Sequence, residues 1–254
     1  MDIKKLINIV RETDKIFFDD KLRSDVKEKG HHDYVTRADI GISDYLHKRL
    51  SEEFPDIGFM SEEEQLANLS DGDFWILDPI DGTTNFMHQI EPSAVSLGLC
   101  SGGEIVAGVI YIPYKNEIYF AEKGKGAFLN DKPIQVSENK KLENSLGAIE
   151  LNAYFKNDAE SAMNHMRKIY LNCQDVRVYG CAAGALAYVA CGKLDAFLGR
   201  YLKPWDYAAG LVIIKEAGGR VGDLSGKIEI HTLNRHIIAT NGFVFDEFEK
   251  LLTG

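Results

Sequence analysis

Apolar residues recur first at helical spacing, then at strand spacing, and finally in alternating blocks of both. Ile3, Leu6, Ile7, Val10 and Phe17 share one helix face, so residues 2–18 are expected to form an amphipathic helix. Residues 19–33 carry Lys21, Arg23, Lys27 and Lys29 with almost no apolar side chain, the pattern of a mobile surface loop. His31 and His32 within it are expected to be solvated, since sequence neighbours point different ways. Helical spacing returns with Ile40, Ile42, Leu46 and Leu50, with Thr36 as N-cap and Phe54-Pro55 as the stop.

Residues 74–77 are a short apolar run of the length of a buried strand, which Pro79 and the Asp81-Gly82 turn are expected to end. The β-rich runs 94–99, 105–112 and 117–121, separated by turn residues, predict an antiparallel meander. Lys123-Gly124-Lys125-Gly126 lacks the Lys-Ser/Thr that a phosphate loop requires and reads as a hairpin turn. Beyond residue 140 the rhythm alternates, with strands expected at 147–151, 175–179 and 194–198 and helices at 158–170, 182–191 and 205–217. Such alternation predicts an α/β layer. A boundary near Asn139 then divides an α+β half, 1–139, from an α/β half, 140–254.

Composition narrows the function classes. The chain has 254 residues, 45% of them hydrophobic, which is enough for a sizeable core. Its 29 basic and 39 acidic residues leave a net charge of −10, which argues against nonspecific binding to nucleic acid or an anionic membrane. The four cysteines, Cys100, Cys173, Cys181 and Cys191, form no CxxC pair, so reduced thiols are expected. Charges at Arg11, Glu12, Asp14 and Lys15 interrupt the N-terminal apolar patch too early for a signal peptide or membrane span, and the expected location is cytoplasmic.

The stretch Trp75-Ile76-Leu77-Asp78-Pro79-Ile80-Asp81-Gly82-Thr83-Thr84-Asn85-Phe86 concentrates the chemistry. It puts two carboxylates at a strand end, followed by small residues whose N–H groups suit an anion. Side by side, these suit a metal-bridged phosphate, although an Asp-x-x-Asp-Gly turn taken alone is more often structural. Asp39, in the first turn after Thr36, and Asp206, at the start of an apolar helix ended by Gly218-Gly219, each have an ordinary capping explanation. Glu62-Glu63-Glu64 taken alone is an acidic loop.

Together these strings resemble the inositol monophosphatase family, magnesium-dependent and lithium-sensitive phosphomonoesterases related to the fructose-bisphosphatases. The stretch around Asp78 and Asp81 resembles its first signature, and Trp205-Asp206-Tyr207-Ala208-Ala209-Gly210 with Glu216-Ala217-Gly218-Gly219 its second. Asp33-Tyr34-Val35-Thr36-Arg37-Ala38-Asp39 and Ser61-Glu62-Glu63 are similar to two further elements, the latter with Ser61 in place of a glycine. The resemblance covers nearly the whole chain and implies a layered αβαβα sandwich of the sugar-phosphatase type. It implies two to three Mg2+ ions, with Mn2+ as a substitute. Glu62, Asp78 and the Ile80 carbonyl would hold one, Asp78, Asp81 and Asp206 a second, and Glu62 with waters a third.

By the same resemblance, Thr83 with Asp39, assisted by Glu62, orients and deprotonates a water that attacks phosphorus directly. Glu63 would lie behind Glu62, Glu64 would face solvent, and Lys27 or Lys29 would swing over the site. Substrate contacts would come from Asp81, Gly82, Thr83, Gly180, Cys181, Ala182 and Asp206, with Cys181 replacing the usual hydroxyl. Inositol-selective relatives carry a sugar-binding glutamate where this chain has Gly199. Arg200 and Lys203 are either contacts for a second phosphate or a surface pair. The expected substrate is an inositol monophosphate, with fructose 1,6-bisphosphate or NADP as alternatives, and the expected assembly a homodimer. A regulatory module that keeps only the fold would have lost acids that are all present here.

Overall fold

The computed structural model describes residues 2–30, 33–63, 72–224, 226, 228 and 233–254. The expectations for His31, His32 and Glu64 lie outside the described residues.

The N-terminal apolar face is divided between α1 (Ile3–Arg11) and α2 (Asp14–Phe17) instead of one helix over 2–18. Thr13 sits at the break, where its Oγ1 donates to the Val10 carbonyl (2.6 Å) in competition with regular helix bonding. The bend brings the Phe17 ring to 4.7 Å from that of Phe86. Residues 19–30 are structured as well. Asp19 caps α3 (Asp20–Ser24), and β1 (Val26–Gly30) pairs antiparallel with β2 (Asp33–Thr36). β1 is exposed along its whole length, so no apolar alternation marked it. α4 (Arg37–Glu53) starts at Thr36 and ends at Phe54 as expected.

A seven-stranded sheet follows: β3 (Gly58–Ser61), β4 (Phe74–Asp81), β5 (Ala94–Ser101), β6 (Glu104–Ile112), β7 (Glu117–Glu122), β8 (Ala127–Leu129) and β9 (Lys132–Ile134), in that spatial order. β3 and β4 are parallel and the rest form the antiparallel meander. α5 (Thr83–Met87) leaves the end of β4. β4 does not stop at Pro79. Asp78 pairs with Ser96 and Asp81 with Ala94, so one extra residue bulges out of the ladder and the missing N–H of Pro79 does no harm.

The second sheet takes its strands from the rest of the chain: β10 (Leu146–Glu150), α6 (Ala159–Asn172), β11 (Asp175–Arg177), α7 (Ala182–Ala190), β12 (Ala196–Leu202), α8 (Pro204–Glu216), β13 (Arg220–Asp223), β14 (Arg235–Thr240) and α9 (Phe245–Thr253). Its order is β11-β10-β12-β14-β13, with β10 parallel to both neighbours and β14 antiparallel to both of its own.

The layers stack as an αβαβα sandwich, with one core under each outer helical layer and a third spanning both faces of the middle one. α1 and α4 cover the outer face of the first sheet through Leu6, Val10, Ile42 and Leu46 against Trp75, Leu77 and Leu97. α7 and α8 fill the space between the sheets, and α6 and α9 cover the far face of the second. Burial explains why α7 is apolar all round, since every one of its residues is buried. α8 lies close on the first sheet because Gly108 leaves room; a Cβ there would stand 2.6 Å from the Ala209 carbonyl.

Candidate active site

The end of β4 fixes the site. Asp78 Oδ1 accepts the Ile80 N–H (3.0 Å), which steadies the bulge. Gly82 then adopts φ +81°, and a Cβ there would meet the Gly180 carbonyl at 2.8 Å, so both conformation and space require glycine. The tight passage delivers Thr83 next to Asp39. Thr83 Oγ1 lies 3.0 Å from the Ile80 carbonyl and 3.4 Å from Asp39 Oδ1, and its single proton serves one or the other. Asp39 is held by the capping box of α4, where its Oδ2 accepts the Thr36 N–H (2.8 Å) and the Thr36 hydroxyl.

Other elements bring further acids to the same place. Ala183 N–H (2.6 Å) and the Cys181 thiol (3.0 Å) donate to Asp81 Oδ2 at the start of α7. Asp206, in the first turn of α8, accepts the Lys203 N–H (2.7 Å). Glu62, just past β3, pairs with Lys29 at 3.3 Å, and Lys29 also reaches Glu63 at 2.8 Å. Glu62, Asp78, Asp81 and Asp206 line a cavity of about 160 Å3 together with Ile80, Gly82, Thr83, Gly180 and Ala182.

So many carboxyls cannot all be charged there without a cation. Burial, then the charges of Glu62, Asp81, Asp206 and Asp39, push Asp78 far above the usual carboxylate range. Burial and Asp81 do the same to Asp206. Burial raises Glu62 despite Lys29 and Lys203. Asp81 rises to about 6 through burial, restrained by the Cys181 thiol and backbone N–H groups, and Asp39 rises to about 7, mainly through burial. Among the described residues, no three His, Cys, Asp or Glu side chains are already gathered tightly enough to hold a metal ion. The donor chemistry nevertheless fits one. The cavity offers carboxylates and carbonyls with no imidazole, the ligand set of a hard divalent cation.

The sequence model of the inositol monophosphatase family matches residues 3–252. The chain belongs to the inositol monophosphatase family. It is 41% identical over 202 residues to the inositol-1-monophosphatase of Mesorhizobium japonicum, covering 79% of this chain and 76% of that one. It is 38% identical over 227 residues to the fructose-1,6-bisphosphatase/inositol-1-monophosphatase of Thermotoga maritima, covering 89% and 85%. The solved extragenic suppressor protein suhB from Bartonella henselae superposes with a TM-score of 0.91 at 35% identity, covering 98% of this chain and 97% of that one. Inositol monophosphatases are phosphatases, generally metal-dependent, and this chain is a phosphatase of the family.

As an inositol monophosphatase family member, the chain departs from sequence expectation at two positions. Cys181 is fully buried, and its thiol turns to Asp81 instead of the cavity. Arg200 is also absent from the cavity wall. β12 extends to Leu202, beyond the expected 194–198, and strand alternation turns Arg200 towards α6. There it is 1% exposed and bonds to Asp158, Ser161 and His165. Of the lysines, Lys29 reaches the acids, and Lys203 lines the cavity. Sequence reasoning missed Glu150, Asn152, Ala153, Tyr154, Leu202 and Trp205, which complete the wall. Only Glu150 carried a signal, as an acid ending an apolar strand. Among the described residues, no helix is long and apolar enough to cross a membrane.

Proposed function

We propose that the protein is a magnesium-dependent phosphomonoesterase that hydrolyses a small polyol or sugar phosphate, inositol monophosphate first, by direct in-line attack of water. The observation that carries this reading is the convergence on one cavity of Glu62, Asp78 and Asp81 from the first half of the chain and Asp206 from the second, next to Gly82 and Thr83. Glu62, Asp78 and the Ile80 carbonyl would hold one ion, Asp78, Asp81 and Asp206 a second, and Glu62 with waters a third, Mn2+ serving as a substitute. The chemistry Mg2+ supplies when bound is neutralisation of the phosphate, a lower pKa for water and stabilisation of the leaving alkoxide.

The chain's own groups do the rest. Gly82 and Thr83 N–H groups hold phosphate oxygens. Thr83 Oγ1 orients the attacking water, accepts its proton and passes its own to Asp39. Burial raises Asp39 above the usual carboxylate range, which makes it a better proton acceptor. Gly180 and Ala182 border the departing alcohol. A second reading, fructose 1,6-bisphosphate as substrate, draws support from Lys203 in the cavity wall and from the name of the Thermotoga maritima relative. Lithium inhibition, a cytoplasmic location and a homodimer belong to the same proposal; a monomer by light scattering would remove the last.

The test is phosphate release from inositol 1-phosphate, fructose 1,6-bisphosphate and NADP, with Mg2+ and with EDTA. Release from at least one substrate, abolished by EDTA and restored by Mg2+, is expected. Failure of Mg2+ to support release from any of them would overturn the reading.

A further inference from the structure

Glu150 is the acid of the cavity to which neither a metal nor the attacking water has been assigned. It is the last residue of β10, and strand alternation sets its direction. Leu146 and Ala148 pack into the middle layer with α7 and α8, whereas Ile149 and Leu151 face α6 and α9. Glu150 therefore points the same way as Ala148 and reaches the cavity wall. Backbone N–H groups of Gly180, Leu151 and Cys181 lie near its carboxyl. Its Oε2 is nonetheless buried and accepts no hydrogen bond from the described residues. A buried carboxyl oxygen left without a donor is costly, and a ligand that brings one relieves the cost.

Its neighbours indicate the ligand's chemistry. Glu150 pairs across the sheet with Gly199 of β12. A Cβ at Gly199 would stand 2.3 Å from Leu202 Cδ1, so Leu202 occupies the room a side chain at 199 would need, and it lines the cavity. The strands of the second sheet thus give this wall one carboxyl beside an aliphatic side chain, and the segment that follows β10 adds Asn152 and the ring of Tyr154. Apolar surface beside hydrogen-bonding groups suits a compact alcohol that carries C–H faces and hydroxyl edges.

Resting on the phosphomonoesterase reading above, we propose that Glu150 accepts a hydrogen bond from a hydroxyl of the substrate's alcohol portion. The enzyme then selects phosphate monoesters of polyhydroxylated alcohols over those of plain alkyl or aryl alcohols. Glu150 is a substrate-specificity residue, separate from the acids at the end of β4.

The experiment compares kcat/KM for inositol 1-phosphate, its single deoxy analogues and p-nitrophenyl phosphate, all with Mg2+, in the wild type, Glu150→Gln and Glu150→Ala. The ratio for inositol 1-phosphate over p-nitrophenyl phosphate is expected to fall about 10- to 100-fold in Glu150→Ala. It should fall less in Glu150→Gln, which keeps a carbonyl acceptor. One deoxy analogue should lose a similar factor with the wild type and nothing further with Glu150→Ala. Should Glu150→Ala not fold, the wild-type deoxy series and Glu150→Gln still decide the matter. An unchanged substrate ratio, both activities falling together, or wild-type indifference to every deoxy analogue, would overturn the assignment while leaving the phosphatase intact. Absence of phosphate release from all substrates by the wild type would instead be a failure of the phosphomonoesterase reading.

Discussion

The two walls of the cavity are built on different principles. The first-sheet wall is set by backbone: a bulge at Pro79, a left-handed Gly82 with a carbonyl 2.8 Å from where its Cβ would be, and acids pinned by N–H groups. The second-sheet wall, apart from Asp206, is set by side chains on strand ends and the segment after β10: Glu150, Asn152, Tyr154, Leu202 and Lys203. A backbone-built wall tolerates few sequences, because a moved peptide group moves every carboxyl attached to it. A side-chain wall can be refitted one residue at a time. On the proposed function, chemistry belongs to the first wall, joined by Asp206, and substrate choice to the second.

The comparison predicts its own largest effect. Asp81→Asn and Asp206→Asn should each lower Mg2+-dependent kcat/KM at least about 1,000-fold while the fold survives, since each keeps an acceptor oxygen for its backbone donor. The check is phosphate release beside circular dichroism. Turnover close to wild type in either variant would sink the division of labour. Thr83→Ala comes next, with kcat down about 10- to 100-fold and KM changed much less, because the hydroxyl faces the water and not the alcohol. A pure KM effect would move Thr83 to the substrate-binding side.

The same division explains what the sequence revealed. Asp78, Asp81, Gly82 and Asp206 stand in strings whose turn and cap residues are local, so their neighbours in sequence are their neighbours in space. The α/β layer of the second half was legible for a related reason, since alternating apolar blocks name the buried faces, whereas the full αβαβα order came from the family resemblance. Glu150 and Arg200 were not legible that way. Each lies at the end of a strand, and which side it faces depends on how far the strand runs. β12 continues to Leu202, and those added residues convert Arg200 from a loop cation into a buried partner of Asp158. The β1–β2 hairpin was missed because β1, open to solvent throughout, needs no hydrophobic alternation.

The burial of carboxyls around the cavity should also be visible without any substrate. Asp39 is raised from 3.8 to about 7 and Glu150 from 4.5 to about 8, mainly by burial. A carboxyl raised on folding holds a proton that the unfolded chain has released, so stability falls as pH rises through the folded-state value. His165 and His236, lowered by burial from 6.5, act in the opposite sense but chiefly at lower pH. The metal-free protein should therefore melt a few degrees higher at pH 6.5 than at pH 8. Saturating Mg2+ should shrink or reverse the difference, because the ion replaces the protons. Identical melting temperatures at the two pH values in EDTA would mean that the acids are not crowded as described.

Arg200 provides the smallest expected effect on catalysis and the sharpest limit on the second wall. Its guanidinium, 1% exposed, bonds to Asp158, Ser161 and His165 at the start of α6, and Tyr201 adds a hydrogen bond to the same Asp158 (2.6 Å). Arg200→Met keeps the aliphatic stem and removes the charge. The variant should lower Tm, since Asp158 and His165 lose their partner, yet change kcat/KM less than about threefold, and by the same factor for a monophosphate and a bisphosphate. If Arg200 instead met a second phosphate, fructose 1,6-bisphosphate turnover would drop selectively while inositol 1-phosphate turnover held. Lys203→Met gives the counterpart, because Lys203 lines the cavity where Arg200 does not. A bisphosphate-selective loss in Lys203→Met alone would place the second phosphate at Lys203, on the second wall.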